Sequence, residues 1–229
     1  MRQKPAVPVH AVELVVLDMA GTTVHDGGEV PAAFRAALAA HGVPLADDEI
    51  AAIRGASKRE VIRRLVARYL PGAPESLPGV VFGDFCAALA ERYRAGAREV
   101  EGATEVFGWL RGRGVRVALN TGFDRETARL LLDALGWADG VVDALVCGDE
   151  VRTGRPAPYL IHRAMEATGA TDVRRVMNVG DTELDLRAGW NAGAGWNVGV
   201  LSGAHVRERL ELAPHTHVLP SVASLPSLW

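Results

Sequence analysis

Lysine is nearly absent from this chain. Its 229 residues include 25 lysines and arginines, of which only Lys4 and Lys58 are lysine. A composition that uses arginine wherever either cation will serve makes a retained lysine informative, because an amine can lose its proton and attack a carbonyl whereas a guanidinium stays protonated. Cysteine is equally scarce. Cys86 and Cys147 make no disulfide framework of the secreted kind, and both stand in apolar contexts that favour inert burial. No apolar run approaches the roughly 18 residues needed to span a bilayer, and Met1-Arg2-Gln3-Lys4-Pro5 lacks the apolar region of a secretory signal. A soluble cytoplasmic protein without a membrane partner is expected. Excess positive charge is also missing: the formal net charge is -3, which argues against a nucleic-acid partner. The seven histidines form no ligand set; His215-Thr216-His217 alternates as a surface edge does, and His25 reads as a structural or exposed loop residue.

One further absence lies inside the most informative segment. Leu14-Val15-Val16-Leu17 is an apolar run that stops at Asp18 and enters the tight turn Met19-Ala20-Gly21-Thr22-Thr23. A buried parallel strand delivers a carboxylate to a ligand crevice in this way. Two residues on, where a second carboxylate would stand, there is Ala20. Farther along, Val115 to Asn120 reads as a strand ending at the hydroxyl of Thr121, and Arg174 to Gly180 as one ending at Asp181, with Asp185 close behind. Gly154-Arg155-Pro156 puts a fixed cation on a stiff turn between them. In an open parallel sheet such strand ends converge on one edge. Acids, a hydroxyl and a guanidinium gathered there suit a magnesium-bound phosphoryl group.

Hydrophobic residues make up 48% of the chain, enough for a sizeable core. Helical spacing recurs over residues 31 to 41, 47 to 54, 58 to 70 and 78 to 96, with no strand pattern between, while strands and helices alternate from about 103 to 200. The expected fold is α/β: a Rossmann-like core of residues 1–28 and 101–229 built on a parallel sheet, with residues 29–100 as an all-helical insertion whose flanks, Gly27-Gly28 and Gly102, permit movement. Within the insertion, Arg59, Arg63, Arg64 and Arg68 read as the solvated face of a helix whose other face carries Val61, Ile62, Leu65 and Val66. Trp190 and Trp196 read as core or interface anchors. The glycines from Gly189 to Gly203 do not sit between a first strand and its helix, so they are not a dinucleotide loop.

These motifs, in this order and over nearly the whole chain, resemble the haloacid dehalogenase superfamily, which implies that the 29–100 insertion is a helical cap domain that opens and closes over the active site. The resemblance implies that Asp18 is a nucleophile forming an aspartyl-phosphate and that Thr121 and Arg155 bind the transferring oxygens. It also implies that Mg2+ is held by Asp18, the Ala20 carbonyl and Asp181, with Asp185 in support through bound water. Ala20, the doubled Thr22-Thr23 and the Gly-Arg-Pro turn are similar to the phosphonatase-like branch, whose cap lysine forms an imine with an aldehyde substrate. Gly55-Ala56-Ser57-Lys58-Arg59-Glu60 looks like that lysine's motif. Ala20, Thr22, Arg54, Gly55, Gly122, Thr121 and Arg155 are then the expected substrate-binding positions for a small phosphonate or phosphate. Arg54 and Val61 stand where that branch has Met and His. Two activities remain open: cleavage of a carbon–phosphorus bond through an imine at Lys58, or phosphoglycolate-phosphatase-like hydrolysis of a monoester in which Lys58 only binds substrate. By the same analogy the cap helices could form a homodimer.

Overall fold

The computed structural model describes residues 12–46, 49–50, 55–138 and 140–229. Six parallel strands form one sheet in the order β3-β2-β1-β4-β5-β6: β1 (Leu14–Asp18), β2 (Arg116–Asn120), β3 (Ala144–Val146), β4 (Val176–Gly180), β5 (Trp196–Val200) and β6 (His217–Leu219). Every residue of β1 and β4 is buried, which explains why β1 reads as a continuous apolar run rather than an alternating one, while the one polar side chain inside β4, Asn178, donates to Asp185 O and Asn197 Oδ1. The chain builds outward from β1 to β2 and β3, then crosses back to add β4 on the other side. The strand order therefore reverses at β1 and β4, and a ligand crevice opens beyond the carboxyl ends of strands at such a point. Register brings those ends level: Asp18 pairs with Asn120, and Leu17 with both Leu119 and Val179.

Between the chain crossings at Val24 and Glu99 the named elements among the described residues are helices alone: α1 (Glu29–Ala40), α2 (Lys58–Tyr69) and α3 (Leu77–Gly96). Arg54 and most of the helix expected at 47–54 lie outside the described residues. Helix α2 starts where Ser57 Oγ accepts from the Glu60 amide, and it buries Val61, Ile62, Leu65 and Val66 while Arg59, Arg63, Arg64 and Arg68 face outward. Burial of each of those four aliphatic chains contributes roughly 1.5–3 kcal/mol. Helix α3 packs against both α1 and α2, with the Phe34 and Phe85 rings 4.5 Å apart. The two chain crossings into this helical segment pair with each other, His25 N donating to Arg98 O at 2.9 Å and Val100 N to Thr23 O at 2.8 Å.

The remaining helices α4 (Ala103–Arg111), α5 (Arg125–Leu135), α6 (Tyr159–Thr168) and α7 (Glu183–Ala192) alternate with the strands over the region where alternation is expected, and the short α8 (Arg207–Leu210) follows. Two expectations change. His217 begins β6, which is an edge strand as expected, but its side chain is buried rather than exposed. Trp190 is no core anchor: it lies 61% exposed on α7.

Candidate active site

The β1 strand ends at Asp18, and a turn closes at once. The amides of Thr22, Thr23 and Val24 all donate to Met19 O, at 3.1, 2.9 and 2.8 Å, while Thr23 Oγ1 donates to Asp18 O at 2.9 Å. The doubled threonine thus holds the loop that aims the Asp18 carboxylate. On the other side of the reversal, Thr182 caps α7 by accepting from the Asp185 amide, and Asp185 Oδ2 accepts in return from Thr182 N at 3.0 Å. This reciprocal cap satisfies the first amides of the helix and brings Asp185 back toward the strand ends.

Arg155 joins the two acids. Its Nη2 lies 2.7 Å from Asp18 Oδ1 and its Nε 2.9 Å from Asp185 Oδ1, and Nη2 also donates to the side-chain oxygen of Asn120. Asp181 accepts from Thr22 Oγ1 at 3.2 Å and from the Ala204 amide at 2.6 Å. Asp18, Asp181 and Asp185 are all buried, and one carboxylate oxygen of each falls within 4.8 Å of the other two. Burial, aided by the charge of Asp185, pushes the Asp18 carboxyl up against the pull of Arg155. Asp181 is driven up by burial and then by the charges of Asp18 and Asp185. Crowded, dehydrated carboxylates of this kind are what a hard divalent cation relieves, so the donor set fits Mg2+.

One cavity gathers Asp18, Ala20, Gly55, Lys58, Thr121, Gly122, Arg155 and Asp181 on its walls. Thr22 and Asp185 are not among its lining residues: Thr22 is fully buried against Asp181, and Asp185 is held by Arg155 and the α7 cap. Thr121 Oγ1 is fixed by accepting from the Phe123 amide at 3.1 Å. Lys58 enters from the helical segment. Its Nζ donates to Ala56 O at 3.2 Å and sits 5.3 Å from the centre of the Phe123 ring. Burial lowers the pKa of this amine, opposed by the charge of Asp18. Val61, on the same helix, is 2% exposed and belongs to the hydrophobic core. Val30, Pro31 and Phe34 of α1 give the cavity an apolar part of its lining.

Sequence reasoning overlooked Asn120, Asp26 and Phe123. Asn120 and Phe123 had a readable signal, flanking Thr121 at the end of β2; Asp26 had none, because its place on the cavity wall depends on how the chain enters α1.

Two glycines let the lysine loop approach so closely. Gly55 has φ +79°, and a Cβ there would lie 2.4 Å from Thr182 Oγ1; one on Gly122 would lie 3.0 Å from Ala56 O and 3.5 Å from Lys58 Nζ. Gly55→Ala therefore clashes with the core and strains the backbone by roughly 1–2 kcal/mol. A displacement of about 1 Å at the lysine can cost on the order of 100-fold in rate. The expected result is a kcat at least about tenfold lower in a variant whose circular dichroism matches wild type; an undiminished kcat would show that the loop does not need this fit.

The family model of a haloacid dehalogenase-like hydrolase matches residues 12–193. The chain is 31% identical over 207 residues to a phosphonoacetaldehyde hydrolase of Syntrophobacter fumaroxidans, covering 84% of this chain and 73% of the relative. Among solved structures, a hydrolase from Pseudomonas syringae superposes with a TM-score of 0.84 at 25% identity, over 94% of this chain and 96% of that one. A phosphonoacetaldehyde hydrolase-like protein from Oleispira antarctica, 23% identical, shares the fold at a TM-score of 0.84 over 100% of this chain and 95% of its own. With its parallel sheet, its strand-end acids and these likenesses, the chain is a hydrolase that belongs to the haloacid dehalogenase-like family.

Proposed function

We propose that this protein cleaves the carbon–phosphorus bond of phosphonoacetaldehyde or a close carbonyl-bearing analogue. The observation that carries the reading is Lys58: one of two lysines in the chain, buried, and projecting from the helical segment into the cavity that holds Asp18. Burial lowers the pKa of this amine, which makes its free, nucleophilic form easier to reach than that of an exposed lysine. Relatives named phosphonoacetaldehyde hydrolase support the same reading. On this reading residues 29–100 are the cap, and residues 1–28 with 101–229 the core.

Lys58 Nζ adds to the substrate carbonyl carbon, water leaves, and an iminium forms. Asp18 then attacks phosphorus in line, and the electron pair of the breaking bond moves into the iminium to give an enamine. Thr121 and Arg155 bind the oxygens of the transferring group and stabilise their charge. Mg2+, held by Asp18, the Ala20 carbonyl and Asp181 with Asp185 in support, would neutralise phosphoryl charge when bound. Because the leaving carbon becomes an enamine, no acid is required at position 20. Gly55 and Gly122 keep the reacting carbonyl close to the lysine. Arg54, outside the described residues, would contact an anionic group of the substrate.

The test is a parallel assay of phosphonoacetaldehyde and a panel of small phosphate monoesters at equal Mg2+. Preference for the aldehyde supports the proposal; robust turnover of monoesters alone assigns the protein as a phosphomonoesterase in which Lys58 binds substrate. Ala20→Asp sharpens the choice. A carboxylic acid there assists an oxygen leaving group, typically by about 100-fold or more, but has nothing to protonate when an enamine departs. Monoester hydrolysis by this variant is expected to rise and phosphonoacetaldehyde cleavage not to; improved aldehyde cleavage would count against the imine route.

A further inference from the structure

We propose that Asp26 is the proton-transfer residue for imine chemistry at Lys58, an inference that rests on the function proposed above. Imine formation moves protons at both ends of the new bond. Starting from ammonium and carboxylate, Lys58 passes one proton to Asp26 and its amine adds to the carbonyl carbon, so that the π pair goes to oxygen. One N–H proton then moves to that oxygen, giving a neutral carbinolamine. Asp26 returns its proton to the carbinolamine hydroxyl, which departs as water as the nitrogen lone pair closes the C=N bond. The iminium is left on Lys58 and Asp26 is again a carboxylate, so the balance closes with no outside reagent.

The cavity has few groups able to do this. Of its described lining residues the titratable ones are Asp18, Asp26, Lys58, Arg155 and Asp181. Asp18 and Asp181 belong to the nucleophile and cation site, Arg155 is permanently protonated, and Lys58 is the amine itself. Val61, where phosphonatase-like enzymes have His, is packed in the core, and Ala20 has no acid to offer. Asp26 remains.

Its geometry suits the task. Asp26 lies where the chain leaves the core for the helical segment, two residues after Val24. Its Oδ1 accepts from the amides of Gly28 at 3.1 Å and Val30 at 3.5 Å at the start of α1, which fixes the carboxyl group. Among the described residues no group hydrogen-bonds Oδ2. The charge of Asp26 acts on the Lys58 amine, and both residues line the same cavity.

The experiment times the covalent trapping of Lys58 by borohydride with phosphonoacetaldehyde in the full-length protein, for wild type, Asp26→Asn and Asp26→Ala. Asparagine keeps an oxygen to accept from the α1 amides, so the fold, followed by thermal melting, is preserved while the transferable proton is lost. Removal of a general acid–base group costs about 100-fold or more. The expected result is adduct formation slowed by that factor in Asp26→Asn, with the same final amount of adduct per protein after long incubation, since Lys58 itself is intact. Added formate should partly restore the rate in Asp26→Ala, a rescue that a purely structural carboxylate would not allow. Wild-type trapping rates in Asp26→Asn would overturn the assignment of Asp26 while leaving the imine reading in place. Absence of any adduct in wild type would overturn both.

Discussion

Asp18→Asn is expected to abolish turnover, by on the order of 10⁴-fold or more, of whichever substrate the protein prefers. An amide oxygen cannot form the acyl phosphate, and it removes one anion from the three that would balance a divalent cation. The loss should come without unfolding. In the folded protein the Asp18 carboxyl is pushed up by burial, so its ionised form is less favourable there than in the unfolded chain, and a neutral isostere relieves that cost. Arg155 keeps Asp185 and Asn120 as partners. Thermal melting at neutral pH should therefore give a midpoint at or above wild type, beside an inactive enzyme. Substantial activity in the folded variant would remove Asp18 from the role of nucleophile.

Lys58→Arg separates covalent from electrostatic use of the same position. The guanidinium keeps the charge and the approximate reach but forms no imine. If the amine is covalent, phosphonoacetaldehyde cleavage falls by on the order of 10³-fold or more, and borohydride with the aldehyde, which inactivates wild type by fixing an adduct on Lys58, has no effect on the variant. If Lys58 only binds an anion, the variant retains much of its monoester turnover, and mass spectrometry finds no adduct in wild type. The surroundings are tight: Nζ lies against Gly122 and over Phe123, so the larger head group adds a steric cost. Lys58→Met, which keeps the stem and removes the amine, controls for that: an equal loss of aldehyde cleavage in both variants points to the missing chemistry rather than to size.

Much of the site was readable before folding. Asp18, Thr121 and Asp181 follow apolar strands directly, and a strand end is a local signal: the run stops and chemistry begins. The turn at Arg155 and the Thr182-Glu183-Leu184-Asp185 cap are equally local. The helical faces of α2 followed from spacing alone, since arginine and aliphatic positions segregate around one turn. Less readable were features that depend on partners far along the chain. Thr22 reads as a substrate contact beside Asp18, yet its hydroxyl is turned to Asp181, 159 residues away. His217 reads as an exposed edge, and β6 is an edge strand, yet the fold buries its side chain.

What the amino-acid order determined by itself was the set of chemical groups and the strand ends that carry them, because periodicity, caps and breaks act over a few residues. What only the tertiary structure decided was which of those groups share a cavity. Arg155 bridges Asp18 and Asp185 because the parallel register levels the strand ends where the sheet order reverses. Lys58 shares a cavity with Asp18 because glycines at 55 and 122 let a loop from one segment seat against another, and Asp26 joins them because the paired crossings at Val24 and Glu99 set the start of α1 at the same opening. Such contacts arise from close packing between distant segments, which leaves no spacing pattern along the chain.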